Sequence, residues 1–297
     1  MELPSLKHLS YLVALHQHQH FHRAASACFI SQSTLSSAIL KLEEQLNCQL
    51  LERDHKTFSF TVTGEEVVRQ AKQLIVQATE LKQFAQYQGK IGCGSVTIGC
   101  IPTVAPYLLS SVSKACQVEL PNLELFLIED TTENLLLKLA DGSIDIALLA
   151  LPVTGHNFRT KVLGQDPFYI AGEQRLVDRF LETQDYQQVP EASVFLLSKE
   201  HCLTEHALSA CRLGDQSRIH KFSSSSLATL VEMTAFHQGF TFLPKMAVDQ
   251  GVGTLQGLTI KPLPDDMYRD IGMLWRDTSL RTSTYLKFGE VVASCLA

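Results

Sequence analysis

Two cysteines, Cys202 and Cys211, stand nine residues apart in FLLSKEHCLTEHALSACRL, the stretch from Phe195 to Leu213. It reads as a short buried strand (Phe195, Leu196, Leu197), a polar break from Ser198 to Glu200, and then a helix. Cys202 falls in or near the first turn of that helix and Cys211 near its end. At about 1.5 Å of rise per residue, one intact helix would hold their Cα atoms roughly 13–14 Å apart. A disulfide needs about 4.4–6.8 Å. The two sulfurs can join only if the helix comes apart, and such a pair is a two-state device. A helix N-terminus and nearby cations both lower a thiol's pKa. His201 directly precedes Cys202, and Lys199 lies just upstream. The plainer reading is that both cysteines are small buried apolar residues, as most are. Spacing alone leaves both readings open.

The surrounding chain must position these thiols. It has 297 residues, 45% of them hydrophobic, enough for two or three domains with a sizeable core. Its eight cysteines are scattered and include no CxxC pair, so neither a zinc site nor a secreted disulfide framework is expected. The first ten residues, MELPSLKHLS, have no apolar signal core, and no run reads as a membrane span. A reducing cytoplasm is the expected compartment, where a disulfide is more often a signal than a staple. Residues 1–90 carry nine Lys/Arg against eight Asp/Glu, while the whole chain carries −6. The front is near neutral and the back acidic, consistent with two regions that have different partners.

In chain order, residues 5–18 and Phe21 to Cys28 have helical spacing, and Ser31 is a good N-cap for a third helix to Leu46. Leu35, Ile39, Leu42 and Leu46 share one face of it. Ser31, Gln32, Ser33, Thr34, Ser36 and Lys41 lie on the leading and opposite faces. Two helices joined by a tight turn, the second opening with small hydrogen-bonding residues, form a helix-turn-helix pattern suited to the major groove. Leu50 to Val62 reads as a two-strand wing whose Arg53, His55 and Lys56 could meet phosphates. An ordinary three-helix packing unit would show the same periodicity. Thr63-Gly-Glu-Glu66 reads as a capping box opening a long helix to about Gln88. Val67, Ala71, Leu74, Ala78, Leu81 and Ala85 form a heptad seam on it, as expected of a helix that pairs with a copy of itself. From Ser95 strands and helices alternate, first to Pro152 and again after Asp166-Pro167, with a return through Met267 to Trp275. That order implies two α/β halves, joined by crossings near 164–168 and 264–268, around a small-molecule cleft.

FHRAASACFISQSTLSSAILKLEEQLNCQLLERDHKTFSFTVTG resembles the DNA-binding region of LysR-type transcriptional regulators. IGCIPTVAPYLL, the EHC…C segment and GFTFLP resemble their OxyR-like, hydrogen-peroxide-sensing subgroup. The resemblance implies an α/β chain with an N-terminal winged helix-turn-helix (1–63) and a long linker, or dimerisation, helix (64–90). A two-subdomain, periplasmic-binding-protein-like regulatory domain (91–297) would follow. Subdomain I would take about 91–164 and 268–297, and subdomain II about 165–267. It further implies that Cys202 reacts with peroxide, that Cys211 resolves it into a disulfide, and that Thr103, Thr132 and His201 bind the effector. Promoter DNA, RNA polymerase and hydrogen peroxide are the implied partners, with a homodimer through the linker helix and a homotetramer beyond it. No cofactor is implied. The sequence also departs from the subgroup's pattern. Ser33 stands where proline is usual, Leu40 where a basic residue is usual, Asp54 and His55 where polar and basic residues are usual, and Thr204 where arginine is common.

Three other readings compete. A LysR-type regulator could take a small metabolite in its cleft, with structural cysteines. A periplasmic solute-binding protein lacks a use for the winged-helix front. An enzyme would be expected to carry GxSxG, HExxH, a P-loop or GxGxxG, and none appears. The run HQHQHFH offers His16/His20 and His18/His22 at metal-ligand spacing, but without an acidic or cysteine partner a solvated face is the expectation.

Overall fold

The computed structural model describes residues 3–53, 57–87, 89–153, 158–183, 189–198, 202–210, 216–254, 256–264 and 266–296. The chain forms two compact units. One is Met1–Gly89 with Ala140–Ser143 and Thr278–Leu280. The other is Lys90–Leu139, Ile144–Asp277 and Arg281–Ala297.

In the first unit, α1 (Leu6–His18), α2 (Phe21–Ala27) and α3 (Gln32–Leu46) enclose a core of Leu9, Leu12, Leu15, Ala24, Ala25, Leu35, Ile39 and Leu42. Each start has a side-chain cap. The Ser5 hydroxyl accepts from the His8 amide, His20 Nδ1 from the His22 amide, and the Ser31 hydroxyl from the Thr34 amide. β1 (Leu51–Arg53) and β2 (Phe58–Phe60) pair antiparallel as the wing.

The long helix α4 (Val62–Gln86) begins two residues earlier than the Thr63 capping box implied. Thr61 is its cap. The Thr61 hydroxyl accepts from the Gly64 amide at 2.9 Å and donates to the Gln49 carbonyl at 2.8 Å, tying the helix start to the entry of β1. Gly64 allows this closeness, because a Cβ there would sit 2.1 Å from the Leu50 carbonyl oxygen. Along the heptad seam Ala71 is buried and Val67 and Ala78 are half-buried, whereas Leu74, Leu81 and Ala85 are exposed.

In the second unit, eight strands form one sheet in the order β4-β3-β5-β10-β6-β8-β7, with β9 also on β6. These are β3 (Gly94–Cys100), β4 (Leu123–Glu129), β5 (Ile146–Leu151), β6 (Phe158–Gly172), β7 (Val194–Phe195), β8 (Phe240–Pro244), β9 (Thr259–Pro262) and β10 (Tyr268–Arg276). β3 runs parallel to β4 and β5, as expected for strands joined through α5 (Ala105–Glu119) and α6 (Thr132–Asp141). β10 runs antiparallel to β5 and β6.

Asp166-Pro167 does not interrupt the chain as expected, because β6 runs straight through it. Pro167 pairs with Tyr268 at the last position of the β10 ladder, and Phe168 opens the ladder with β8. A proline cannot donate to a ladder, so it is tolerated where the strand changes neighbours. One core lies to each side of this changeover. Leu163, Ile271 and Met273 belong to the first; Phe168, Ile170, Phe195 and Phe242 belong to the second. Arg218 to Phe222, expected as a strand, makes only an isolated bridge from Ile219 to Val194. The helix α7 (Gln174–Thr183), the short α10 (Lys245–Asp249) and β9 were not anticipated. Helices α8 (Cys202–Ala210), α9 (Leu227–Phe236) and α11 (Thr282–Leu296) complete the unit. No helix among the described residues is long and apolar enough to cross a membrane.

Candidate functional site

Helix α3 presents a largely polar outer face, with Leu40 its one large exposed apolar residue. Leu35, Ile39 and Leu42 are fully buried, leaving Gln32, Ser33, Thr34 and Lys41 exposed and Ser36 half-buried. Ser31 organises the leading turn: its hydroxyl lies 2.9 Å from the Ser33 hydroxyl and 2.7 Å from that of Thr34. An open groove of about 450 Å³ runs beside this turn, lined by Lys7, Tyr11, Ser33, Thr34, Ser37 and Lys41 among others. Two lysines and four hydroxyls in one groove suit a phosphate backbone. In the wing, Arg53 lies 3.4 Å from Glu43, whose other oxygen accepts from the Leu50 and Leu51 amides. Arg53 is thus partly held by the fold. Lys56 lies outside the described residues. Of the histidine run, His16 pairs with Glu65 at 2.8 Å and His20 caps α2, so both have structural duties.

In the second unit, Thr103 and Thr132 each stand three residues beyond the end of a strand. β3 ends at Cys100 and β4 at Glu129, and these two residues are partners in the parallel register. Both threonines therefore sit at the carboxyl ends of adjacent parallel strands, the edge where α/β sheets bind ligands. Thr103 is buried, and its hydroxyl accepts from Arg269 Nη1 at 2.8 Å. The Thr103 carbonyl accepts from Nη2 at 2.9 Å. A guanidinium only donates, so the Thr103 hydroxyl proton is left to point at something else. Arg269 is itself paired with buried Asp166 at 2.9 Å, and Asp166 accepts from the Met246 amide at 3.1 Å. The Thr132 hydroxyl is buried and has no hydrogen-bond partner among the described residues. Between them, Lys138 and then Asn134 bond the Asp130 carboxylate and hold its pKa below the usual range, which braces the turn from β4 into α6.

Helix α8 opens on Cys202. Leu203 and Ala207 anchor it in the second core, and buried Thr204 donates from its hydroxyl to the Leu197 carbonyl at 2.9 Å. Expected partners His201 and Cys211 lie outside the described residues. Among the other thiols, burial raises the pKa of Cys28 and, with the neighbouring Cys295 and Glu119, pushes Cys116 up to about 11. Neither is set up to ionise near neutral pH.

Residues 6–65 match the bacterial regulatory helix-turn-helix protein, lysR family, and residues 92–295 match the LysR substrate binding domain. The chain belongs to the LysR family. It is similar to the HTH-type transcriptional regulator EstR of Acinetobacter baylyi, with 35% identity over 83% of this chain and 82% of EstR. It is 34% identical to the hydrogen peroxide-inducible genes activator of Haemophilus influenzae, over 97% of this chain and 96% of that one. Among solved structures, the reduced regulatory domain of OxyR2 from Vibrio vulnificus is 43% identical and superposes with a TM-score of 0.65, covering 69% of this chain and 97% of the domain. The chain is an OxyR-like LysR regulator with a helix-turn-helix domain and a LysR substrate-binding domain.

Sequence reasoning about this LysR regulator missed two residues. Lys7 lies in the first turn of α1 and lines the groove beside α3, which no local pattern announces. Arg269 is buried in a strand, with its carboxylate partner 103 residues away. In β10, YRDIGMLWR, it stands beside Asp270 ahead of the apolar run, so the local sequence does not mark which of the two charges is buried.

Proposed function

We propose that this protein is a DNA-binding transcriptional activator that senses hydrogen peroxide through Cys202 and a reversible Cys202–Cys211 disulfide, and controls antioxidant genes. The observation that carries this reading is α8: it opens on Cys202 and is anchored in the core, so joining the two sulfurs requires taking it apart. At a helix N-terminus the dipole favours a thiolate. The thiolate attacks one peroxide oxygen, the O–O bond breaks, and Cys202 becomes a sulfenic acid while hydroxide leaves and is protonated. The Cys211 thiol then displaces water from that sulfur and forms the disulfide. Thr103 fits a donor to the peroxide because Arg269 occupies its acceptor side. Thr132, whose buried hydroxyl has no partner among the described residues, and His201 complete the proposed effector site.

In the same reading residues 1–63 bind promoter DNA through Ser31, Gln32, Ser33, Thr34, Ser36, Lys41, Arg53 and Lys56. Residues 64–90 pair two chains through the exposed Leu74 and Leu81, and 91–297 regulate. A homotetramer in the cytoplasm would signal to RNA polymerase, with no catalytic turnover. Footprinting of a candidate promoter with reduced and peroxide-treated protein tests the switch. A footprint that changes length or position on oxidation is expected, and identical footprints would refute the reading.

A further inference from the structure

Thr204 stands two residues after Cys202. Its side chain is turned inward and is only 5% exposed. Its hydroxyl donates at 2.9 Å to the carbonyl of Leu197, which is also buried and lies two residues past the end of β7. Next to it, Leu203 packs into the second core. The first turn of α8 is therefore held by one apolar anchor and one buried hydrogen bond, both within two residues of Cys202.

We infer that Thr204 is a positioning residue that clamps the first turn of α8 to the Leu197 carbonyl and so sets how readily Cys202 and Cys211 join. The inference rests on the proposed disulfide switch. Two cysteines whose Cα atoms an intact helix would hold roughly 13–14 Å apart can join only when residues next to Cys202 leave their places. The Thr204 bond is made in the dithiol state and broken in the disulfide state. An interaction present in one state alone shifts the equilibrium toward that state by its full strength. Thr204 thereby raises the threshold for oxidation.

The test uses the full-length chain equilibrated with oxidised and reduced glutathione at stepped ratios, followed by thiol trapping and mass analysis. In the exchange one protein thiolate attacks oxidised glutathione and releases one glutathione; the second protein thiolate then releases the other. Thr204→Val removes the hydroxyl at nearly constant shape, and Thr204→Ser keeps it. Valine is expected to move the midpoint about five- to tenfold toward the disulfide, the size of one buried neutral hydrogen bond. That is roughly 20–30 mV at 29.6 mV per tenfold. Serine is expected to stay within about twofold of wild type. Thr204→Ala, should valine fail to fold, is expected to shift in the same direction. Equal shifts for valine and serine, or none for valine or alanine in a folded protein, overturn the inference. A wild-type chain that forms no Cys202–Cys211 disulfide at any ratio removes the switch and this inference together, an outcome distinct from an unshifted variant.

Discussion

The buried pair Arg269–Asp166 offers the sharpest energetic prediction. The Arg269 side chain is 0% exposed and that of Asp166 3%, so neither can recover water if its partner is removed. Removing one member of a buried, hydrogen-bonded pair typically costs about 3–5 kcal/mol, mostly because the other charge is stranded. Arg269→Met strands the Asp166 carboxylate and also unbonds the Thr103 hydroxyl and carbonyl. Asp166→Asn strands the guanidinium but keeps an acceptor for the Met246 amide. Each single change is expected to cost about 3–5 kcal/mol. The double change, with no charge left to strand, is expected to cost less than the sum, with a coupling of about 2–3 kcal/mol. The assay is urea unfolding followed by fluorescence of Trp275, the single tryptophan, which is buried in β10, the same strand as Arg269. Single changes costing under about 1 kcal/mol, or costs that add within about 0.5 kcal/mol, would refute the reasoning.

Three further predictions follow from the described contacts. Gly64→Ala forces a Cβ to within 2.1 Å of the Leu50 carbonyl oxygen, and Thr61→Ala removes a cap. Alanine at 61 should cost the first unit about 1 kcal/mol and alanine at 64 clearly more, measured by thermal melting of the full chain. Lys41→Ala should weaken binding similarly across DNA sequences and reduce the salt slope by about 1, whereas Gln32→Ala should relax sequence preference; titration of matched and scrambled promoter fragments at stepped salt separates the two. Asp130 has a folded-state pKa held below its ordinary 3.8, so its stabilisation is present above that value and is lost as pH falls through the lower, folded one. Lys138→Met should therefore move acid unfolding to higher pH, and an unchanged acid transition would count against the brace.

Elements whose boundaries are written locally were legible in the sequence. Helix α3 follows from the Ser31 cap and the Leu35, Ile39, Leu42 stripe, and α9 and β8 fall where their apolar patterns put them. The start of α4 was misplaced because Thr61 and Thr63 are equally good caps locally; the close approach of Gly64 to Leu50, a contact with the wing, decides between them. Strand β6 was half hidden, since FRTKVLGQ is exposed or half-buried for most of its length and is held by pairing with β10. Helix α7 did carry a signal, Leu176, Val177, Phe180 and Leu181 at helical spacing. Around the candidate site, Thr103 and Thr132 were found through resemblance, and their shared register at the ends of β3 and β4 supplies the physical reason for pairing them. Arg269 was beyond reach, because a buried ion pair separated by 103 residues leaves no periodicity.

The most direct test of the account is thiol mapping by mass spectrometry during titration of the reduced, full-length protein with low concentrations of hydrogen peroxide. Oxidation is expected first at Cys202, followed by a Cys202–Cys211 disulfide, while Cys116 and Cys28 remain reduced. Oxidation of other thiols while Cys202 stays unmodified would contradict the peroxide-switch reading.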